Sequence, residues 1–86
     1  MPRARVKRVI DGDTIQIMDG TVIRIAGCDA PELSQYGGQA AKKRLSKLLR
    51  GKQIGISNQL ARSYGRSVRR VTLRGKPVSK LIKKKG

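Results

Sequence analysis

Residues 14–27 read TIQIMDGTVIRIAG, and this stretch decides the fold. Ile15 and Ile17 fall on one face of an alternating run, Asp19-Gly20 is a hairpin turn signal, and TVIRIAG at 21–27 reads as the returning strand. Upstream, ARVKRVI at 4–10 alternates in its second half, with Val6, Arg8 and Ile10 to one side and Lys7 and Val9 to the other, and reads as a strand. Downstream, CDAPE at 28–32 breaks the alternation. Pro31 has no N–H to give a ladder, so a loop is expected there and on to Gly38.

From Gly38 the period lengthens to three and four. Ala40, Ala41, Arg44, Leu45, Leu48 and Leu49 recur with lysines between them, which predicts an amphipathic helix of about three turns stopped by Gly51. KQIGISN at 52–58 is a fourth predicted strand and QLARSYGR at 59–66 a turn or loop. SVRRVTL at 67–73 is a fifth strand, RGKP at 74–77 turns out of it, and VSKLIKKKG opens a short helix with Pro77 and Ser79 near its start. The order β-β-β-α-β-β makes the chain mainly β with α. It predicts a single domain over residues 1–86, built as a five-stranded barrel of the OB type.

The composition limits the chemistry. The chain has 86 residues, with no Phe and no Trp, so its modest core must be aliphatic. One cysteine and no histidine exclude an intrachain disulfide, a Cys/His zinc site and a Ser-His-Asp triad. Catalysis in such a chain runs on carboxylates, Arg, Lys, Tyr or a metal. No apolar run approaches the roughly 18 residues of a membrane span, and no secretion signal is visible. The expectation is a cytoplasmic, nucleic-acid-associated protein, or a secreted one processed from a longer precursor.

The net charge of +16 is unevenly placed. All five carboxylates lie between residues 11 and 32, where they balance the five cations of the first 32 residues; from residue 33 onward every charge is positive. Such a surface repels itself unless it meets a polyanion, and nucleic acid is the foremost one, ahead of anionic membrane.

Asp11 and Asp13 flank Gly12 at a strand junction, and Asp29 and Glu32 lie on the loop after the third strand. In a meander those two places fall at one edge of the sheet, so the four carboxylates can converge. Oxygen ligands without His or Cys suit a hard cation, Ca²⁺ or Mg²⁺. Taken alone, DGD is a common turn, DAPE a loop into a helix and Arg24 a solvated strand residue.

Together the blocks say more. VIDGDTI, VIRIAGCDAPE, QYGGQAA and SYGR, in this order, closely resemble the staphylococcal-nuclease-like (thermonuclease) family from about residue 5 to residue 83. The resemblance implies an OB barrel and a Ca²⁺-dependent phosphodiesterase acting on DNA and RNA. By motif, it assigns Asp13 and Asp29 as metal ligands with the backbone carbonyl of Ala30 as a third, and Asp11 as an acid standing behind them. Glu32 takes the role of general base or water-positioning group, and Arg24 and Arg66 those of phosphate-binding arginines. Lys42, Lys43, Arg62, Tyr64, Arg69 and Arg70 are candidate contacts to the nucleic acid.

The chain also departs from the family pattern. Arg62 stands where relatives commonly carry Asp, Ser79 where they carry Asn, and the family normally continues through further helices beyond residue 86. Tyr36 and Tyr64 are the only aromatics; each either stacks on a base or packs beside the barrel, with packing favoured for Tyr36. The alternative to a nuclease is a nucleic-acid-binding protein that keeps the fold with little or no turnover.

Overall fold

The computed structural model describes residues 2–28, 30 and 34–82. Asp29 and Glu32, a predicted metal ligand and the predicted base, lie outside the described residues.

The hairpin at the centre of the sequence forms as expected. Strand β2 (Thr14–Ile17) returns as β3 (Val22–Ile25) with Ile15 opposite Ile23. Gly20 takes a left-handed φ of 95° in the turn, and the Asp19 carboxylate accepts from the Thr21 amide at 2.8 Å. Strand β1 (Arg3–Asp11) is longer than predicted and serves two partners. Its second half pairs with β2, and its first three residues pair with β4 (Gln53–Ile56). Register shifts between Val6 and Arg8 and between Val9 and Asp11 break simple alternation. Val6 and Val9, predicted on opposite faces, are therefore both buried.

Helix α1 spans Gly38–Leu49 and buries Ala41, Leu45 and Leu49, one row at fourfold spacing; Leu48 is half-buried and Ala40 and Arg44 are exposed. The buried stripe is thus narrower than the periodicity suggested. Residues from β1, β2, β3, β4 and α1 make an aliphatic core in which Ile15, Ile23, Ile25, Leu45 and Leu49 are fully enclosed. Each such side chain contributes roughly 1.5–3 kcal/mol by leaving water.

The strand count and closure differ from the expected five-stranded barrel. The predicted loop 59–66 contains a strand, β5 (Ala61–Ser63), paired with β6 (Arg66–Arg69). Tyr64 and Gly65 connect them with φ values of 51° and 77°, the left-handed pair of a two-residue hairpin turn. The predicted strand 67–73 is broken at Arg70, whose N–H donates to Ser57 Oγ at 2.9 Å and whose carbonyl accepts from the Ser57 amide at 3.0 Å. Before that residue β6 pairs with β5 and, in parallel, with β3. After it β7 (Val71–Leu73) pairs with β4 and with β8 (Lys76–Pro77). The result is an eight-stranded sheet in the order β5-β6-β3-β2-β1-β4-β7-β8. Among the described residues no ladder joins its two ends, so the OB-like arrangement stands open. A one-turn helix, α2 (Val78–Leu81), follows, as predicted, and plugs the core with Val78. No helix among the described residues is long and apolar enough to cross a membrane.

Candidate active site

Asp13 and Thr14 stand where β2 begins, and both are buried. The turn that delivers them is tight because Gly12 has no side chain: a Cβ there would lie 2.6 Å from that of Ala41 on α1 and 2.7 Å from that of Ala30. The Ile25 amide donates to the Asp13 carbonyl at 2.8 Å and locks the turn to β3.

Three elements then converge on one carboxylate. Asp13 Oδ1 accepts from the Thr14 hydroxyl at 2.9 Å. Asp13 Oδ2 faces the Ala30 amide at 3.5 Å and Arg24 Nη2 at 3.7 Å. Thr14 lies opposite Arg24 in the β2–β3 register, which is what brings the guanidinium to the acid. Arg24 also donates to the Cys28 carbonyl at 3.3 Å. From the parallel strand β6, Arg66 donates through Nη1 to Thr14 Oγ1 at 3.1 Å and through Nε to the Ser63 carbonyl at 3.2 Å. One arginine thus meets the buried acid directly and the other through the threonine hydroxyl.

The two neighbouring acids are driven apart in proton affinity. Burial pushes the Asp13 carboxyl up, but hydrogen bonding with Asp11, Thr14 and the Ala30 amide, together with the Arg24 charge, outweighs it and holds Asp13 below the ordinary carboxylate value. Asp11 goes up, first through burial and then through sharing a hydrogen bond with Asp13. Its Oδ1 accepts from the Asp13 amide at 3.2 Å. Asp13 is therefore the first of the pair to lose its proton as pH rises.

Asp13 and Asp11 fit a hard cation in kind. The contacts to Asp13 Oδ2 are long for hydrogen bonds, so that oxygen keeps acceptor capacity. They do not make a cradle by themselves. Among the described residues no group of three or more His, Cys, Asp or Glu gathers as a metal site, whereas Ca²⁺ takes about 6–8 oxygens.

The other predicted residues fall elsewhere. Tyr64 is at the tip of the β5–β6 hairpin and Tyr36 just before α1; both are fully exposed, so neither packs beside the sheet. Arg62 is exposed on β5, opposite Ser67. Arg69 is a strut, donating to Ser67 Oγ at 2.9 Å and to the Ser57 carbonyl at 3.1 Å. Arg70 is exposed at the strand break. On α1, Lys42 is half-buried and Lys43 exposed.

Sequence reasoning missed Thr14 and the steric role of Gly12. The signal for Thr14 was a hydroxyl directly after the second acid, which reads as an ordinary β-former until Arg66 is placed against it.

No family model matches the chain. Individual relatives do. It is 38% identical over 65 residues to an uncharacterized endonuclease of Escherichia coli, covering 72% of this chain and 42% of that protein. It is 35% identical over 69 residues to a micrococcal nuclease of Shigella flexneri, covering 77% of this chain and 40% of that protein. An uncharacterized endonuclease of Haemophilus influenzae is 35% identical over 68 residues, covering 74% of this chain and 38% of that protein. The chain thus spans less than half the length of the curated relatives it matches. Over that shared stretch the chain belongs to the staphylococcal-nuclease-like family.

Proposed function

We propose that this chain carries the phosphodiester site of a Ca²⁺-dependent nuclease acting on DNA, RNA or both. The observation that supports this best is that Arg24 on β3 faces Asp13 directly while Arg66 on β6 reaches the same acid through the Thr14 hydroxyl. A phosphodiester repels an incoming nucleophile, and its five-coordinate transition state carries added negative charge. Two guanidiniums held in place by the sheet would bind its oxygens as planar forks and stabilise that charge. Asp13 and Asp29, with the Ala30 carbonyl, would hold the cation, and Asp11 would support Asp13. A bound Ca²⁺ would supply further charge neutralisation at the phosphate. Glu32 is the proposed acceptor of the attacking water's proton.

Arg62, Tyr64, Arg69, Arg70, Lys42 and Lys43 are proposed to guide the substrate strand. Names given to the relatives, endonuclease and micrococcal nuclease, support the same reaction class.

The test is cleavage of single-stranded DNA, duplex DNA and RNA, with Ca²⁺ and with chelator, beside Glu32→Gln and Arg66→Ala. Ca²⁺-dependent cleavage lost in both variants is the expected result; cleavage that survives chelator, or survives both changes, overturns the mechanism. The wholly basic stretch from residue 33 favours a second reading, a binding module without turnover. Its mark is salt-sensitive binding of intact nucleic acid under every metal tried.

A further inference from the structure

Two grooves open on the half of the sheet that does not carry Asp13, Arg24 and Arg66. The first, of about 390 Å³, lies between α1, the β7–β8 hairpin and α2. Leu48, Leu73 and Leu81 form its floor, and Lys47, Lys52, Arg74 and Lys76 its rim. The second, of about 420 Å³, crosses β1, β4 and β7, with Arg3 and Arg74 on either side of Ile54, Gly55 and Thr72. Arg3 stands opposite Gly55, and Gly55 opposite Thr72, so the middle strand puts no side chain between the other two at this level.

Arg74, at the β7–β8 turn, is the residue that the two grooves share. No carboxylate lines either one, and no residue of the candidate active site does. Five cations around an apolar floor call for an anion that also has flat apolar parts.

We infer that this five-cation track is a second binding surface for single-stranded nucleic acid, separate from the candidate active site, with phosphates on the rim and bases on the apolar and glycine floor. It rests on the reading of the chain as a nucleic-acid enzyme only in its choice of polyanion. An acidic amphipathic peptide matches the first groove alone. The second groove has Ile54 as its one large apolar residue and gives a peptide's apolar face little to bury against, whereas a nucleic acid has a phosphate at every step and meets cations in both. Phosphate binding along a positively charged groove is a usual part of sequence-tolerant recognition, and here aliphatic side chains face the bases.

The experiment compares the wild type with a track variant, Lys47→Gln, Lys52→Gln, Arg74→Asn, Lys76→Gln; Asn suits the left-handed backbone of residue 74. A control variant of equal net charge carries Lys7→Gln, Arg44→Gln, Arg50→Gln and Lys80→Gln, all exposed positions outside both grooves. Binding of fluorescent single-stranded DNA of about 16 and about 4 nucleotides, the bounds of typical site sizes, is measured in chelator across a salt series. The track variant is expected to bind the long probe at least tenfold more weakly. Its slope of log K against log salt should flatten by about 0.7 for each phosphate that the variant no longer neutralises. The short probe should be unaffected, and the control should weaken far less on the long one.

Equal weakening in track and control variants, equal weakening on both probes, or no weakening at all would overturn the inference. So would tighter wild-type binding to an acidic leucine-rich peptide than to the long probe. An NMR titration of the unmodified protein with the long probe guards against misfolded variants: the amides of Gly55, Thr72 and Gly75 should shift, and their silence would overturn the track directly. Because these are binding readouts in chelator, an inactive enzyme with a working track, or an active one without it, is recognised as such.

Discussion

Arg66 and Thr14 meet through a single hydrogen bond of 3.1 Å, and the same hydroxyl passes its own proton toward Asp13 at 2.9 Å. One buried side chain thus sets the distance between a guanidinium and a carboxylate that lie on different strands.

Thr14→Val keeps the shape and removes that junction. It leaves Asp13 and Arg66 each short of a partner in a buried setting, at a cost of about 1–3 kcal/mol. Urea unfolding should show the loss, and cleavage should fall at least tenfold. Thr14→Ser keeps the hydroxyl and should remain within a few-fold of wild type; equal damage from both changes would rule out the hydrogen bonds as the cause.

At residue 12 a methyl group has nowhere to go. Gly12→Ala would press on the Cβ atoms of Ala41 and Ala30, and overpacking of this kind costs roughly 1–3 kcal/mol. Since Ala30 donates to Asp13, activity should fall along with the melting temperature. Adding Ala41→Gly relieves one of the two clashes and should restore part of the activity but little stability, because glycine weakens α1 by about 1 kcal/mol.

The Asp11–Asp13 pair makes opposite contributions to pH dependence. The depressed Asp13 stabilises the fold above the ordinary carboxylate value of 3.8, and that contribution is lost as pH falls through its lower folded value. The raised Asp11 binds its proton more tightly when folded, so its penalty sets in as pH climbs from 3.8 through its higher folded value. Asp11→Asn should therefore stabilise at pH 7, by no more than about 1 kcal/mol given water screening, and give nothing near pH 3. Thermal melts at the two pH values read the difference; a gain at both would mean that charge is not responsible.

Tyr64 sits at a left-handed φ of 51° with its ring in water. Asn adopts that conformation more readily, so Tyr64→Asn should leave stability unchanged or raise it by about 0.5–1 kcal/mol. If the ring stacks on a base, the same change weakens single-stranded DNA binding by about 1–3 kcal/mol. A variant that is more stable and binds as well as wild type would remove Tyr64 from the substrate path.

The legible parts of this molecule were the local ones. Ile15 to Ile25 announced a hairpin because alternation and an Asp-Gly turn act over neighbouring residues, and Leu45 and Leu49 announced a helix for the same reason. The hairpin around Tyr64-Gly65 was hidden because its turn uses a tyrosine where asparagine is usual. The break at Arg70 was hidden because its cause, Ser57, is remote in sequence. Within the site, Asp13, Arg24 and Arg66 were marked by motif, whereas the position of Thr14 between acid and arginine became visible only with β6 laid parallel to β3.

That parallel ladder also bears on when the site comes into being. Arg66 and Thr14 are 52 residues apart, and β6 can reach β3 only after the intervening helix and fourth strand have been made and folded back. Closing so long a loop is slow compared with forming either hairpin. So long a separation predicts that the guanidinium joins the acid after the hairpins have formed. A chain still leaving the ribosome carries all five of its acids by residue 32, yet cannot set Arg66 against Thr14 until β6 has emerged.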